Sequence, residues 1–237
     1  MHIRMDKQNL QINDYGPDSV NVRNRYPYIF ELFEKFKKYN YENNKGDLNR
    51  LLSFVLNIEQ TLNNDNVEGS IAEVGVYKGN SAAILAHFAK EYNKTCYLFD
   101  TYEGFDDRDI EDHKNQKGFN PLEFDDTSIE LVTEVIGDNV KSCEFIKGYF
   151  PECIPSNLKN KTFSIVSLDC DLYNPMKASL EWFYPRMNNK SIFLIHDYSS
   201  GYFKGVKRAV DEFCNVSKQH LILMPDKGGS AFIKIYK

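Results

Sequence analysis

The chain has 237 residues, 42% of them hydrophobic and 27% charged, and its 29 basic and 34 acidic side chains leave a net charge of -5. That length and composition fit one α/β domain with a sizeable core. The acidic balance argues against a general nucleic-acid or anionic-membrane surface. No run of about 18 apolar residues is present, and the start M-H-I-R-M-D-K-Q-N lacks an apolar signal core. A soluble, cytoplasmic protein with no membrane partner is therefore expected. The five cysteines (Cys96, Cys143, Cys153, Cys170 and Cys214) form no C-x-x-C pair. They predict reduced, mostly buried thiols and neither a disulfide frame nor a zinc site.

Residues 1–25 are polar and carry Gly16-Pro17, which suggests an extended arm or short helix. Helical spacing begins near Tyr28 with Ile29, Leu32, Phe33 and Phe36, and stops in the polar run 40–46. Asp47 then reads as the N-cap of a second helix whose apolar face runs from Leu48 through Leu51, Leu52, Val55 and Ile58 to Leu62. These elements, residues 1–66, are expected to cover one edge of a sheet, with a substrate-pocket wall or a homodimer surface as the other roles open to them. Residues 67–237 read as the main α/β part of the same globular unit.

From Ile71 onward strand and helix patterns alternate. Strands are expected at 71–76, 95–99, 143–146, 163–168 and 192–195, with helices at 81–90, 129–136, 175–184 and 206–213. Two short strands, 221–224 and 231–236, flank P-D-K-G-G, a link short enough to force them antiparallel. The result is an α/β fold, a doubly wound three-layer α/β/α sandwich. One segment, 102–127, is long and acidic and follows the second strand. Loops of that length are commonly functional, so it reads as a lid over a ligand or as a solvated excursion.

The chain is organised around I-A-E-V-G-V-Y-K-G-N-S, residues 71–81, a buried strand running through a turn with two glycines into a helix. Gly75 and Gly79 can take backbone angles closed to other residues and would let a ligand lie against the main chain. The helix N-terminus opening at Ser81 faces the same point. A dinucleotide fingerprint started at Gly75 would need glycines where Tyr77 and Asn80 stand, and no Lys-Ser/Thr pair follows for a P-loop. Glu73 would repel a pyrophosphate but suits a cationic, hydroxyl-bearing ligand. That description fits S-adenosylmethionine.

Asp100, at the end of the second strand, is placed to accept from both ribose hydroxyls of an adenosine; its other reading is a cap for 101–103. Gly148 and Tyr149, just past the third strand, stand where adenine would lie, and Tyr149 or Phe150 could stack on it. Asp169 and Asp171 follow the fourth strand, and His196 and Asp197 the fifth. Neighbouring parallel strands bring these groups together. Clustered carboxylates suit Mg²⁺ or a similar hard cation, which would lower the pKa of a substrate hydroxyl.

In order along the chain, E-V-G-V-Y-K-G-N-S, D-T-Y-E-G-F, L-D-C-D-L-Y, Tyr184-Pro185-Arg186, and H-D-Y with G-V-K-R-A-V-D-E-F resemble the macrocin O-methyltransferase family. The resemblance covers about Leu51 to the C-terminus. It implies a methyltransferase-type Rossmann-like sheet, mostly parallel and seven-stranded with an antiparallel last strand. It also implies S-adenosylmethionine, a magnesium-dependent site, and methylation of sugar hydroxyls such as those of macrolide and aminocoumarin antibiotics. Carried over by position, Asp169 matches a metal ligand that also lies close enough to act as base, and Asp197 matches the second aspartate of an Asp-Asp pair. His196 replaces the first member of that pair. Imidazole binds Mg²⁺ poorly and favours Mn²⁺, Fe²⁺, Co²⁺ or Zn²⁺, so His196 reads as a ligand that shifts the metal to Mn²⁺, as a general base, or as the loss of the metal site.

The expected function is transfer of a methyl group from S-adenosylmethionine to a hydroxyl of a sugar or other small hydroxylated acceptor. Glu73, Gly75, Gly79, Ser81, Asp100, Gly148 and Tyr149 would hold the donor. Asp169, His196 and Asp197 would hold the metal, with Asp169 and His196 as catalytic groups. Two alternatives are a non-catalytic binding or assembly protein on the same fold, and a nucleotide-dependent oxidoreductase. The missing third glycine speaks against the second.

Overall fold

A computed structural model describes residues 24–42, 44–110 and 119–237. The expected N-terminal arm lies almost wholly outside these residues, as does the middle of the acidic segment, including Glu111 and Asp112. Seven strands form one sheet: β1 (Ser70–Val74), β2 (Cys96–Asp100), β3 (Cys143–Lys147), β4 (Phe163–Leu168), β5 (Met187–Ile195), β6 (Leu221–Leu223) and β7 (Ala231–Lys234). Helices α1 (Pro27–Lys37) and α2 (Leu48–Glu59) precede it. Helices α3 (Asn80–Glu91), α4 (Asp107–Ile110), α5 (Ile129–Ile136), α6 (Tyr173–Phe183) and α7 (Lys204–Ser217) follow in sequence.

The strand order is β3-β2-β1-β4-β5-β7-β6. The first five strands run parallel, while β7 runs antiparallel to both β5 and β6. Alternate strand residues feed two apolar layers. Ile71, Leu98 and Ile165 pack under α1, α2, α3 and α5. Ala72, Val74, Phe99 and Val166 pack under α6 and α7. The expected three-layer sandwich is thus observed, and α1 and α2 share the first layer's core with residues of the sheet.

Asp47 caps α2 as expected: its carboxylate accepts from the Arg50 N–H at 3.1 Å. Its second oxygen accepts from the Lys227 N–H at 2.7 Å and so ties the start of α2 to the β6–β7 loop. Strand β5 is longer than the apolar run 192–195, because its first half carries the polar Asn188, Asn189 and Lys190. Of the five unpaired cysteines only Cys96 is fully buried; the other four are half-buried, a correction to the expectation of mostly buried thiols.

The sheet order reverses between β1 and β4. In an open α/β sheet the crevice outside the carboxyl ends of the strands at that point is the natural ligand position. Gly75 follows β1 and Asp169 follows β4, so both stand on its rim. No helix among the described residues is long and apolar enough to cross a membrane.

Candidate functional site

A cavity of about 770 Å³ opens over these strand ends. Its walls include Gly75 and Ser81 near β1, Asp100 after β2, Gly148 and Tyr149 after β3, Asp169 and Asp171 after β4, and His196 and Asp197 after β5. Phe36 and Arg50 bring α1 and α2 into the wall. The N-terminal helices therefore line the site as well as covering the sheet.

In the glycine corner the two glycines serve the protein's own packing. Gly75 has φ +84, and a Cβ there would sit 2.1 Å from the main-chain oxygen of Asp169. Gly75 thus packs against the strand end at Asp169 and also lies in the cavity wall. Gly79 caps α3 in the left-handed region and lies against Val132, off the cavity wall. Glu73 is also absent from the wall. It is fully buried in β1, accepts from the Ser167 hydroxyl at 3.0 Å, and has one oxygen with no partner. Burial pushes its carboxyl up to about 8, although Ser81 and Ser167 act against that rise.

Asp100 lies in the cavity wall with a full set of protein donors. Its Oδ2 accepts from the Val76 N–H (2.6 Å) and the Tyr77 N–H (3.0 Å). Its Oδ1 accepts from the Tyr102 N–H (2.6 Å) and the Thr101 hydroxyl (3.3 Å). The capping role is thus observed, and the carboxylate also fills the N–H groups of the glycine turn. Tyr149 donates to Asp109 at 3.0 Å, and the Arg108 guanidinium stacks 3.6 Å over its ring.

At the other end of the cavity four charged groups form one chain of contacts. Strand β5 ends at Ile195, and Asp197 already has φ +57, so the backbone has left the strand and neighbouring side chains converge. His196 Nδ1 lies 2.8 Å from Asp169 Oδ1 and 2.8 Å from Asp197 Oδ2. Arg50 Nη2 donates to Asp169 Oδ2 at 2.8 Å. Burial alone would raise the Asp169 carboxyl, yet His196 and Arg50 hold it well below the usual carboxylate range. Burial, and then the neighbouring Asp169 and Asp197, push the Asp171 carboxyl well up. Burial and Arg50 oppose charge on His196, but Asp169 and Asp197 raise it to about 9. Its buried Nε2 has no hydrogen-bond partner among the described residues.

Asp169, His196 and Asp197 each place a potential donor atom within 4.8 Å of the others, close enough to share an ion. Nε2 faces Gly228, where an added Cβ would sit 2.0 Å away, so Nδ1 is the ring nitrogen turned to the two carboxylates. Its 2.8 Å separation from each carboxylate oxygen suits a shared proton and equally the spacing of neighbouring ligands about one cation.

Sequence reasoning passed over Arg50 and gave Asp171 no role. Arg50 is a buried cation on an apolar helix face three residues after a capping Asp, which is a weak signal. It also missed an aromatic wall, where Phe124 stands edge-on to Tyr41 and Tyr77 at 5.7 and 5.0 Å. Both described parts of the 102–127 segment contribute to the cavity, through Phe105 and Phe124 among others.

The sequence pattern of the macrocin-O-methyltransferase (TylF) family matches residues 42–227. The mycinamicin III 3''-O-methyltransferase of Micromonospora griseorubida is 24% identical over 148 residues, 56% of this chain and 57% of that protein. The chain thus matches well under two thirds of that relative's length. Among solved structures, the O-methyltransferase NovP superposes with a TM-score of 0.70 at 16% identity, over 89% of this chain and 99% of that one. The calicheamicin methyltransferase CalS11 gives 0.66 at 20% identity, over 98% and 99%. At these identities the structural matches show the fold.

Proposed function

The chain belongs to the macrocin-O-methyltransferase family, and from that membership and the cavity we propose that it moves a methyl group from S-adenosylmethionine to a hydroxyl of a sugar-bearing or other small acceptor. The observation that carries the donor assignment is Asp100. Its carboxylate already takes the Val76 and Tyr77 N–H groups that a pyrophosphate would need. The corner is therefore negative, which suits a sulfonium, an ammonium and a ribose and disfavours a dinucleotide. The same observation weighs against the oxidoreductase alternative.

The transfer is a single in-line displacement. The acceptor oxygen forms a bond to the methyl carbon, the carbon–sulfur bond breaks with its electron pair staying on sulfur, and S-adenosylhomocysteine leaves. The hydroxyl proton passes to a carboxylate. Asp169 and His196 were the expected catalytic groups, but they hold each other, and Asp169 is further held by Arg50. Proton acceptance is assigned here to the Asp171–Asp197 pair, which lines the cavity beside them. A carboxylate within hydrogen-bond reach of the acceptor hydroxyl is suited to that role. A cation held by Asp169, His196 and Asp197 would lower the pKa of the acceptor hydroxyl. The protein supplies alignment of oxygen, methyl and sulfur, and the aromatic wall offers flat apolar faces to an acceptor.

The deciding experiment incubates the purified protein with methyl-labelled S-adenosylmethionine and a panel of glycosides, then follows the label by mass spectrometry. Label on an acceptor oxygen supports the assignment; label on nitrogen or carbon, or binding of the donor with no acceptor in any panel, contradicts it.

A further inference from the structure

The acceptor end of the cavity is assembled from segments far apart in the chain, and one buried carboxylate outside the cavity joins two of them. Asp47 is 2% exposed and takes no part in the cavity wall. One of its oxygens accepts from the Arg50 N–H at 3.1 Å and caps α2. The other accepts from the Lys227 N–H at 2.7 Å, 180 residues away in sequence. A helix cap needs only the first of these bonds. The second joins α2 to the β6–β7 loop. Asn49 adds a longer bond across the same junction, from its side-chain amide to the Pro225 carbonyl at 3.4 Å.

Each side of that junction carries a support of the charged cluster. On α2, the Arg50 guanidinium donates to Asp169 Oδ2 at 2.8 Å, with only 8% of its side chain exposed. On the loop, Gly228 backs the His196 ring. An added Cβ there would lie 2.0 Å from Nε2, so a larger residue would displace the imidazole. The loop is also tied to the end of β5, where the Ser199 N–H donates to the Gly229 carbonyl at 2.9 Å. It is braced internally by the Ser230 N–H, which donates to Asp226 at 2.7 Å. One carboxylate therefore holds both the helix whose Arg50 orients Asp169 and the loop that backs His196. Both of its bonds are charge-assisted, and such bonds are stronger than neutral ones.

We propose that Asp47 is a positioning residue for methyl transfer: by joining α2 to the β6–β7 loop it sets Arg50 and His196 together, and with them the carboxylates that face the acceptor. It fixes side chains and not their protons, so it serves a bridging proton and a bound cation alike. Transfer depends on holding the acceptor oxygen in line with the methyl group, and a small misplacement far from the chemistry is costly. The inference deepens the transferase reading and rests on it for its catalytic meaning, but the mechanical link is testable separately.

Asp47→Ser separates the two roles of the carboxylate, because serine is a good helix cap but its hydroxyl is one bond too short to reach Lys227. The test compares amide hydrogen exchange, read by nuclear magnetic resonance, in the wild-type full chain and in this variant. In the wild type the Lys227 N–H is expected to be protected at least about tenfold over an unstructured amide, although Lys227 is an exposed residue. In Asp47→Ser, shown folded by circular dichroism, segments 225–230 and 196–200 are expected to exchange at least about tenfold faster. The glycine turn 75–79 and S-adenosylmethionine affinity by calorimetry should stay as in the wild type. With an acceptor taken from the glycoside panel, kcat should fall at least about tenfold at an unchanged KM for the donor. An unprotected Lys227 amide in the wild type overturns the proposal. So does a folded Ser variant altered only at the start of α2, or one with a loosened loop and full kcat. If Asp47→Ser does not fold, Asp47→Asn takes its place, with one acceptor oxygen for the two N–H groups; if neither folds, the wild-type protection decides alone. Absence of transfer by the wild type to every acceptor would instead count against the transferase reading and leave the exchange result standing.

Discussion

Gly75 and Asp169, 94 residues apart, are in main-chain contact: a Cβ on the glycine would meet the aspartate's carbonyl oxygen at 2.1 Å. The turn that faces the donor and the strand end that faces the acceptor therefore share one wall. With φ +84 at Gly75, a Gly75→Ala chain must adopt a left-handed alanine and also push β4 outward. Left-handed strain costs roughly 1–3 kcal/mol and overpacking about 1–3 kcal/mol. The variant should lose at least about 2 kcal/mol of stability by thermal or denaturant unfolding, together with donor affinity. Retention of both would mean that the strand end yields freely and that the shared wall has no mechanical meaning.

Asp100 should matter to donor binding through the turn as well as through the ribose. Removing its carboxylate strands the Val76, Tyr77 and Tyr102 N–H groups, and hydrogen bonds to a charged acceptor contribute about 1.5–3 kcal/mol each. Asp100→Ala should weaken S-adenosylmethionine binding by at least about tenfold in a calorimetric titration while the circular dichroism spectrum is kept. An unchanged dissociation constant would remove Asp100 from the donor site.

Glu73 gives the protein a pH-dependent stability whose sign follows from its burial. Its carboxyl titrates near 8 in the folded chain against 4.5 for an ordinary glutamate. Between those values the folded state holds a proton that the unfolded state has released, so this group's contribution falls as pH rises from about 4.5 to 8 and is constant above. Glu73→Gln should remove that slope and unfold at higher denaturant than wild type at pH 8 and above. Parallel pH profiles for the two proteins would show that Glu73 is ionised in the fold at neutral pH.

Much of the architecture was legible because the parallel strands are buried on both faces and read as apolar runs, as in Phe163–Leu168. The first half of β5 was not, since Asn188, Asn189 and Lys190 are polar and the pairing with β4 shifts register across them. Asp47 could be read as a cap because capping is local. Arg50 could not be assigned, because its partner Asp169 is reached only by folding α2 over the end of β4. Gly228 looked like part of a hairpin turn, yet it is the residue against which His196 rests. Local chemistry shows in a sequence, whereas contacts between distant segments depend on a packing that no spacing encodes.

The central claim is that the cavity at the switch point between β1 and β4 is built for S-adenosylmethionine. Isothermal calorimetry of the purified chain in chelator, with S-adenosylmethionine in one run and NAD in another, tests it most directly. One saturable site for S-adenosylmethionine, competed by S-adenosylhomocysteine and accompanied by no heat from NAD, is the predicted result. Binding of NAD, or no binding of S-adenosylmethionine by the folded protein, would contradict it.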